Sequence, residues 1–475
     1  MQPLRYKHRL PSPQLGRLSR LLNSTFAAVG LLSLGVSSQA QVNVLTQHND
    51  NARTGANLQE TVLTTSNVNS GSFGRLFVRH FDGEVYAQPL IVSNVSLPGV
   101  GKKSLVIVAT QSNDIFAFDA DNPKANKPYW KMNFGLPVPM TDFNCFNVST
   151  KIGILSTPVI DSTTNTLYVV SRNITGDAGA ARYAQWFHAI DITTGKEKTN
   201  SPRRIPTVSY AARTFDSAIH NQRVGLTLSN GSVHIAWASH CDLFDYTGWI
   251  MSFNAKTLIY ETSFATTPDG KLGGIWQSGQ GLTADARGNL YCVTGNGDFK
   301  DNASVPYDPR DPKSNWGMCV LKLGLDRLGR LGVLDYFAPA DRDAWNSADL
   351  DLGVAGTMLI PGTNLLVCGS KTGFLYALDT NNLGKFVASD KDAHAYQVVQ
   401  ATAAEIHNSP VYYKSPVLGQ MLYIWGEFGP LQGFGFTKQR RMTDTPIGTS
   451  VDGSPDPGGF LSVSSNANKS GTGIV

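Results

Sequence analysis

The chain has 475 residues, 41% apolar and 10% aromatic, with 46 Gly, 24 Pro and only 16% charged residues. Few charges and many turn formers over such a length argue against a helical or disordered chain and predict a β-rich protein with a large core. The 40 Lys+Arg against 36 Asp+Glu sum to +4, but five of those cations lie in the first twenty residues, so the body carries about −1 and offers no basic surface for nucleic acid.

The first element in chain order is a leader. Arg5, Lys7, Arg9, Arg17 and Arg20 make a basic stretch without an acid, followed by the apolar run 26–36 and by small residues at Ser38 and Ala40. This is the three-part pattern of a secretory signal, with cleavage expected after Ala40, residues 41–475 as one exported domain, and a secreted or periplasmic location. The apolar run falls short of the roughly 20 residues a spanning helix requires, and no other stretch is long and apolar enough, so no membrane span is expected.

A repeat follows. Phe116-Ala-Phe-Asp119, His188-Ala-Ile-Asp191, Met251-Ser-Phe-Asn254 and Tyr376-Ala-Leu-Asp379 align without gaps, with weaker copies at Leu321-Lys-Leu-Gly324 and at Gly433-Phe-Gly-Phe436-Thr437. The anchors 119, 191, 254, 324, 379 and 437 are 72, 63, 70, 55 and 58 residues apart. Upstream of them, Ala87–Val92, Ser156–Asp161 and Asn408–Tyr413 each lead into an apolar run rich in β-branched and aromatic residues. A unit of about 60 residues holds four short strands and their turns. One four-stranded sheet cannot cover both its faces, whereas sheets stacked radially cover one another, so the expected fold is an all-β propeller of four-stranded blades. The length predicts about seven blades: six full repeats and a partial seventh at 458–475, completed by a strand from 42–81. The polar residue at each anchor is expected to cap the turn that leaves its strand.

Of the five cysteines, Cys145 and Cys241 lie in polar, loop-like surroundings and form the expected disulfide; Cys292, Cys319 and Cys368 lie in apolar strands, as buried thiols do. Sequence alone does not fix the pairing.

With the repeat in view, Gln47–Gly55 with Glu60–Leu63, and Ala117–Asn122 through Trp130, resemble the opening and the tryptophan-docking repeat of pyrroloquinoline-quinone-like propellers, the quinoprotein alcohol dehydrogenase-like family. Ile152–Asp161, Gly273–Gly279 and Thr294-Gly-Asn-Gly297 are most similar to exported bacterial members without an assigned activity. The resemblance implies a flat quinone between an aromatic floor and a sulfur surface, a Ca²⁺ held by carboxylates and an amide, and an Asp base. Trp276 is the candidate floor, and Asn296 the candidate cofactor and metal ligand, with a turn residue between glycines as its alternative role. Against that chemistry, the chain has no adjacent cysteine pair, and Leu323 and Gly324 stand where the base would be.

Other candidates are weaker. His234 and His240 are six residues apart on an expected strand, about 20 Å at 3.3 Å per residue, too far to share a metal. Asp341, Asp343, Asp349 and Asp351 match no calcium loop and are expected in a solvated loop. Trp249, Trp276 and Trp316 could stack on a sugar but are expected in the core. The reading is therefore an exported propeller that binds a protein or carbohydrate partner on one face, without catalysis and with no catalytic residue assigned. The alternative is a dehydrogenase oxidising alcohols or sugars with calcium-bound pyrroloquinoline quinone.

Overall fold

A computed structural model describes residues 42–146, 148–176, 182–302 and 311–475; the leader lies outside them. The anchors Asp119, Asp191, Asn254 and Asp379 prove to be the last residues of third strands, with Gly324 one residue before such an end and Thr437 two beyond one. Each repeat is one antiparallel four-stranded sheet in sequence order. Blade 1 comprises Leu90–Leu97, Gly101–Ala109, Asp114–Asp119 and Trp130–Asn133. Blade 2 comprises Val159–Asp161, Thr166–Ile174, Tyr183–Asp191 and Lys196–Glu197, with Arg203–Arg204 pairing beside the last. Blade 3 is Thr227–Ser229, Ser232–Trp237, Trp249–Asn254 and Tyr260–Ala265; blade 4 is Thr283–Ala284, Leu290–Val293, Val320–Leu325 and Leu331–Phe337. Blade 5 is Thr357–Leu359, Leu365–Gly369, Phe374–Asp379 and Gln397–Gln400; blade 6 is Val411–Ser415, Gly419–Ile424, Pro430–Gly435 and Gly448–Gly453. After the sixth sheet, Val463–Ser464 pairs in parallel with Ala56–Asn57, so the two ends of the described chain meet.

The anchors hold their turns as their chemistry requires. Asp119 Oδ1 accepts from the amides of Asp121 and Asn122, Asp191 Oδ1 from Thr193, Asn254 Oδ1 from Lys256 and Thr257, and Asp379 Oδ1 from Asn381. A short polar side chain at a strand end thus satisfies amides that would otherwise lack a partner.

The core consists of layers between successive sheets. Leu105, Ile107 and Ala117 of blade 1 meet Ile160, Leu167 and Val169 of blade 2; Val293 and Val320 of blade 4 meet Leu366 and Leu378 of blade 5; Leu375 and Val367 of blade 5 meet Leu422 and Phe434 of blade 6. Trp130 docks across the first junction: its indole Nε1 donates to Ile192 O at 2.9 Å, and a Cβ on Gly195 would lie 2.6 Å from its ring.

An irregular segment near the N-terminus organises the inner edge. Ile91 of blade 1 bonds Val44 O, Ile160 of blade 2 bonds Leu45 O, Ala284 of blade 4 bonds Asn51 O, Leu359 of blade 5 bonds Ala52 O, Tyr412 of blade 6 bonds Thr54 O, and Val463 bonds Gly55 O. Blade 3 is reached by a side chain, Asn51 Nδ2 donating to Leu228 O. Residues 44–57 therefore run past the first strand of every sheet in order, like a belt. Arg53 pins the belt: it is fully buried and donates to Thr46 Oγ1, Gln47 O, Thr227 Oγ1 and Leu282 O.

Candidate functional site

In an up-and-down four-stranded sheet the loop between the second and third strands lies at the same end as the connection entering the next sheet. These connections from blades 2 to 6 converge on a polar funnel of about 360 Å³, within the range of small-molecule sites. Arg223 enters between blades 2 and 3, Cys241 and Asp242 from within blade 3, and Trp276 and Ser278 between blades 3 and 4. Asp349 and Asp351 come from between blades 4 and 5, Lys371 from within blade 5, and His407 from between blades 5 and 6.

The wall of Asp242 is fixed from below. Cys145 and Cys241 are joined by a disulfide with Cα atoms 5.7 Å apart, tying the loop between blades 1 and 2 to the loop of blade 3. The next residue, Asp242, accepts a hydrogen bond from the Tyr246 hydroxyl, and burial raises its carboxyl above the usual range.

The opposite wall joins Asn296 to the acidic loop. Asn296 N donates to Asp351 Oδ1 at 2.7 Å and its Nδ2 to Asp349 Oδ1 at 2.6 Å. Lys371 Nζ lies 2.9 Å from Asp351 and 3.2 Å from Asp349. Burial raises the Asp351 carboxyl, with Lys371 acting in the opposite direction; burial opposes the Lys371 ammonium, but the two carboxylates raise its pKa. The glycines around Asn296 allow this approach: a Cβ on Gly295 would sit 2.7 Å from both Asp351 Oδ1 and Trp276 Cδ1, and one on Gly297 2.4 Å from Gly273 N.

Arg223 differs from every other charge here. Its guanidinium lies 5.7 Å from the Trp276 ring centre, burial lowers its pKa with no charged neighbour acting on it, and it makes no ion pair among the described residues. It also borders a second cavity of about 100 Å³ with Tyr86, Asn221 and Ser278. The funnel thus holds carboxylates already committed to internal partners and one cation that is not.

The structure sorts the sequence candidates. Trp276 lines the funnel, while Asn296 does not line it but is bonded to Asp351 and Asp349 of its wall. Asn296 is not the left-handed turn residue its flanking glycines suggest, because its φ is not positive. The solvated acidic loop needs a correction: Asp351 is 7% exposed and part of the site, while Asp343 stays at the surface. Leu323 is wholly buried in the third strand of blade 4 and Gly324 follows it there, so acids reach the funnel from elsewhere. His234 bonds Ser252 Oγ and His240 bonds Arg172, two separate buried places. Trp249 and Trp316 are core side chains, whereas Trp276, expected in the core, lines the funnel. Arg223, Lys371 and His407 escaped the sequence reading, since each is an isolated charge in its own loop; only Glu405-x-His407, two ligand types on one side of an extended segment, carried a local signal.

These sheets define the chain as a β-propeller of four-stranded blades. Among solved structures it is similar to a quinohemoprotein alcohol dehydrogenase from Pseudomonas putida HK5 (14% identity, TM-score 0.50, covering 86% of this chain and 61% of that one). It is also similar to the quinohemoprotein alcohol dehydrogenase from Comamonas testosteroni (16% identity, TM-score 0.51, 85% and 60%). At this identity the likeness shows the fold, and the chain spans about 60% of the length of those two enzymes. No family model and no curated protein matches the sequence.

A calcium-bound quinone would find an amide and a floor here: Asn296 Oδ1 is a buried acceptor without a partner, and Trp276 is flat and accessible. It would not find uncommitted carboxylates, because the oxygens of Asp349 and Asp351 already meet the Lys371 ammonium or the Asn296 amides. The residues present therefore do not fit the metal-bound group.

Proposed function

We propose that this chain is an exported propeller that works by binding, and that its funnel takes a small, flat, anionic ligand. Arg223 is the observation that carries the proposal. Its half-buried guanidinium faces Trp276 and forms no ion pair among the described residues, so an anionic ligand stacked on Trp276 would gain a charge-assisted contact and exclude water from it. The committed carboxylates support binding over base catalysis: Lys371 holds Asp349 and Asp351, and Tyr246 holds Asp242. The same face would present a protein or carbohydrate partner with the rim loops.

Export is supported by the leader and by a disulfide, which persists in an oxidising compartment. Fractionation with N-terminal sequencing tests it, a secreted or periplasmic chain beginning at Gln41 being the expected product. The binding test is tryptophan fluorescence titrated with pyrroloquinoline quinone, a flat polycarboxylate, and with a neutral oligosaccharide. Saturable quenching by the first alone, lost in Arg223→Ala and in Trp276→Ala, is expected; quenching that survives Arg223→Ala overturns the reading.

A second reading, a quinone-dependent dehydrogenase oxidising alcohols or sugars, is favoured by the unpartnered Asn296 Oδ1 beside Trp276. Loading the chain with the quinone and Ca²⁺ and assaying dye-linked alcohol oxidation decides it, since absence of both chromophore and activity removes it.

A further inference from the structure

Behind His407 lies a cluster outside the carboxylate–lysine wall. Glu405 and His407 precede the first strand of blade 6, and Glu427 sits in the turn between its second and third strands. The two segments are tied by Glu427 N donating to Glu405 O at 3.0 Å, so their relative position is set by backbone. His407 Nε2 lies 2.9 Å from Glu405 Oε2 and 3.6 Å from Glu427 Oε1, and all three ligand atoms fall within 4.8 Å of one another. Donors about 2.0–2.2 Å from a common tetrahedral ion are about 3.3–3.6 Å apart, and the two distances from His407, 2.9 and 3.6 Å, span that value.

We propose that Glu405, His407 and Glu427 form a binding site for a divalent transition ion such as Zn²⁺, at the edge of the funnel. One imidazole and two carboxylates suit a borderline ion better than Ca²⁺, which prefers six to eight oxygens. Three protein ligands leave a fourth position for water, the arrangement of an open site. The surroundings agree: burial, offset by Glu405, keeps the His407 pKa low and its imidazole neutral near pH 7. Burial, together with a hydrogen bond and repulsion from Asp456, raises the Glu427 carboxyl, and a bound cation would relieve that crowding of acids. This site is independent of the anion reading of the funnel, since neither Arg223 nor Trp276 takes part.

The test uses the full chain without an affinity tag, stripped with chelator and then titrated with Zn²⁺ by calorimetry and with Co²⁺ by visible absorption. One ion per chain is expected, with Co²⁺ bands of a low-coordinate site. Removal of a direct ligand should cost at least the roughly 10–100-fold in affinity that outer ligand partners cost, so His407→Ala and the near-isosteric Glu427→Gln should each weaken binding by that factor or more. Asp351→Asn should leave it unchanged. Absence of stoichiometric uptake by the folded native chain, uptake insensitive to both ligand variants, or uptake lost in Asp351→Asn instead overturns the proposal.

Discussion

Arg53 is a fully buried guanidinium and Arg223 a half-buried one, neither in an ion pair with a carboxylate among the described residues, and they serve opposite ends. Arg53, in the belt, is surrounded by neutral oxygens that accept its hydrogens, and burial lowers its pKa to about 10, leaving it charged at neutral pH. Arg223, in the funnel, stands against an aromatic face and makes no ion pair among the described residues. A buried charge whose donors are spent on backbone and hydroxyl oxygens holds a fold together, and a half-exposed one beside an aromatic face is where an incoming group can gain.

The sharpest way to break this comparison is pH, because a buried histidine can shed the charge that an arginine must keep. Burial lowers His220 and His234 to about 4, and His240, with the Arg172 cation against it, to about 2. Their folded pKa values lie below the unfolded value near 6.5, so the unfolded chain takes up the protons first on acidification. Their stabilising contribution is complete above pH 6.5 and is lost as pH falls towards 4, at up to about 2 kcal/mol per histidine by pH 5. Denaturant melts between pH 7 and 5 should show this slope, and His234→Gln should flatten it.

Next in size, Arg53→Ala strands several buried acceptors and unpins the belt, for an expected loss of about 3–5 kcal/mol by chemical denaturation. The Cys145→Ser/Cys241→Ser pair opens a loop of 96 residues and should cost about 2–4 kcal/mol. It should also loosen the wall that carries Asp242, weakening funnel binding, whereas substituting Ser for Cys292 should affect stability alone. The smallest change in stability belongs to Arg223→Ala, within about 0.5–1 kcal/mol, although it should abolish anion binding. A destabilisation as large as that of Arg53→Ala would show that Arg223 is a structural pin and remove the contrast.

Blade architecture was legible because it is local and repeated. Four of the six anchors carry their own capping acid or amide, and six copies in step leave few other folds. The pairing of Cys145 with Cys241 was suggested by polar surroundings that mark loops. Trp276 and Asn296 were singled out by the resemblance of their segments to quinoprotein propellers, and the structure shows Asp351 and Trp276 approaching the backbone closely at Gly295.

What the chain order alone determined is therefore the repeating unit, its four short strands and the turn chemistry at the polar anchors. The tertiary structure decided which isolated charges meet. Arg223, Asp242, Asp351, Lys371 and His407 come from different loops, and no periodicity links positions up to 184 residues apart in sequence. Only the circular arrangement of the sheets, with their loops turned to one end, gathers them in one funnel. The belt obeys the same logic: residues 44–55 form no strand of their own, and their carbonyls accept amides from five of the sheets and from Val463, while Asn51 donates to the remaining sheet.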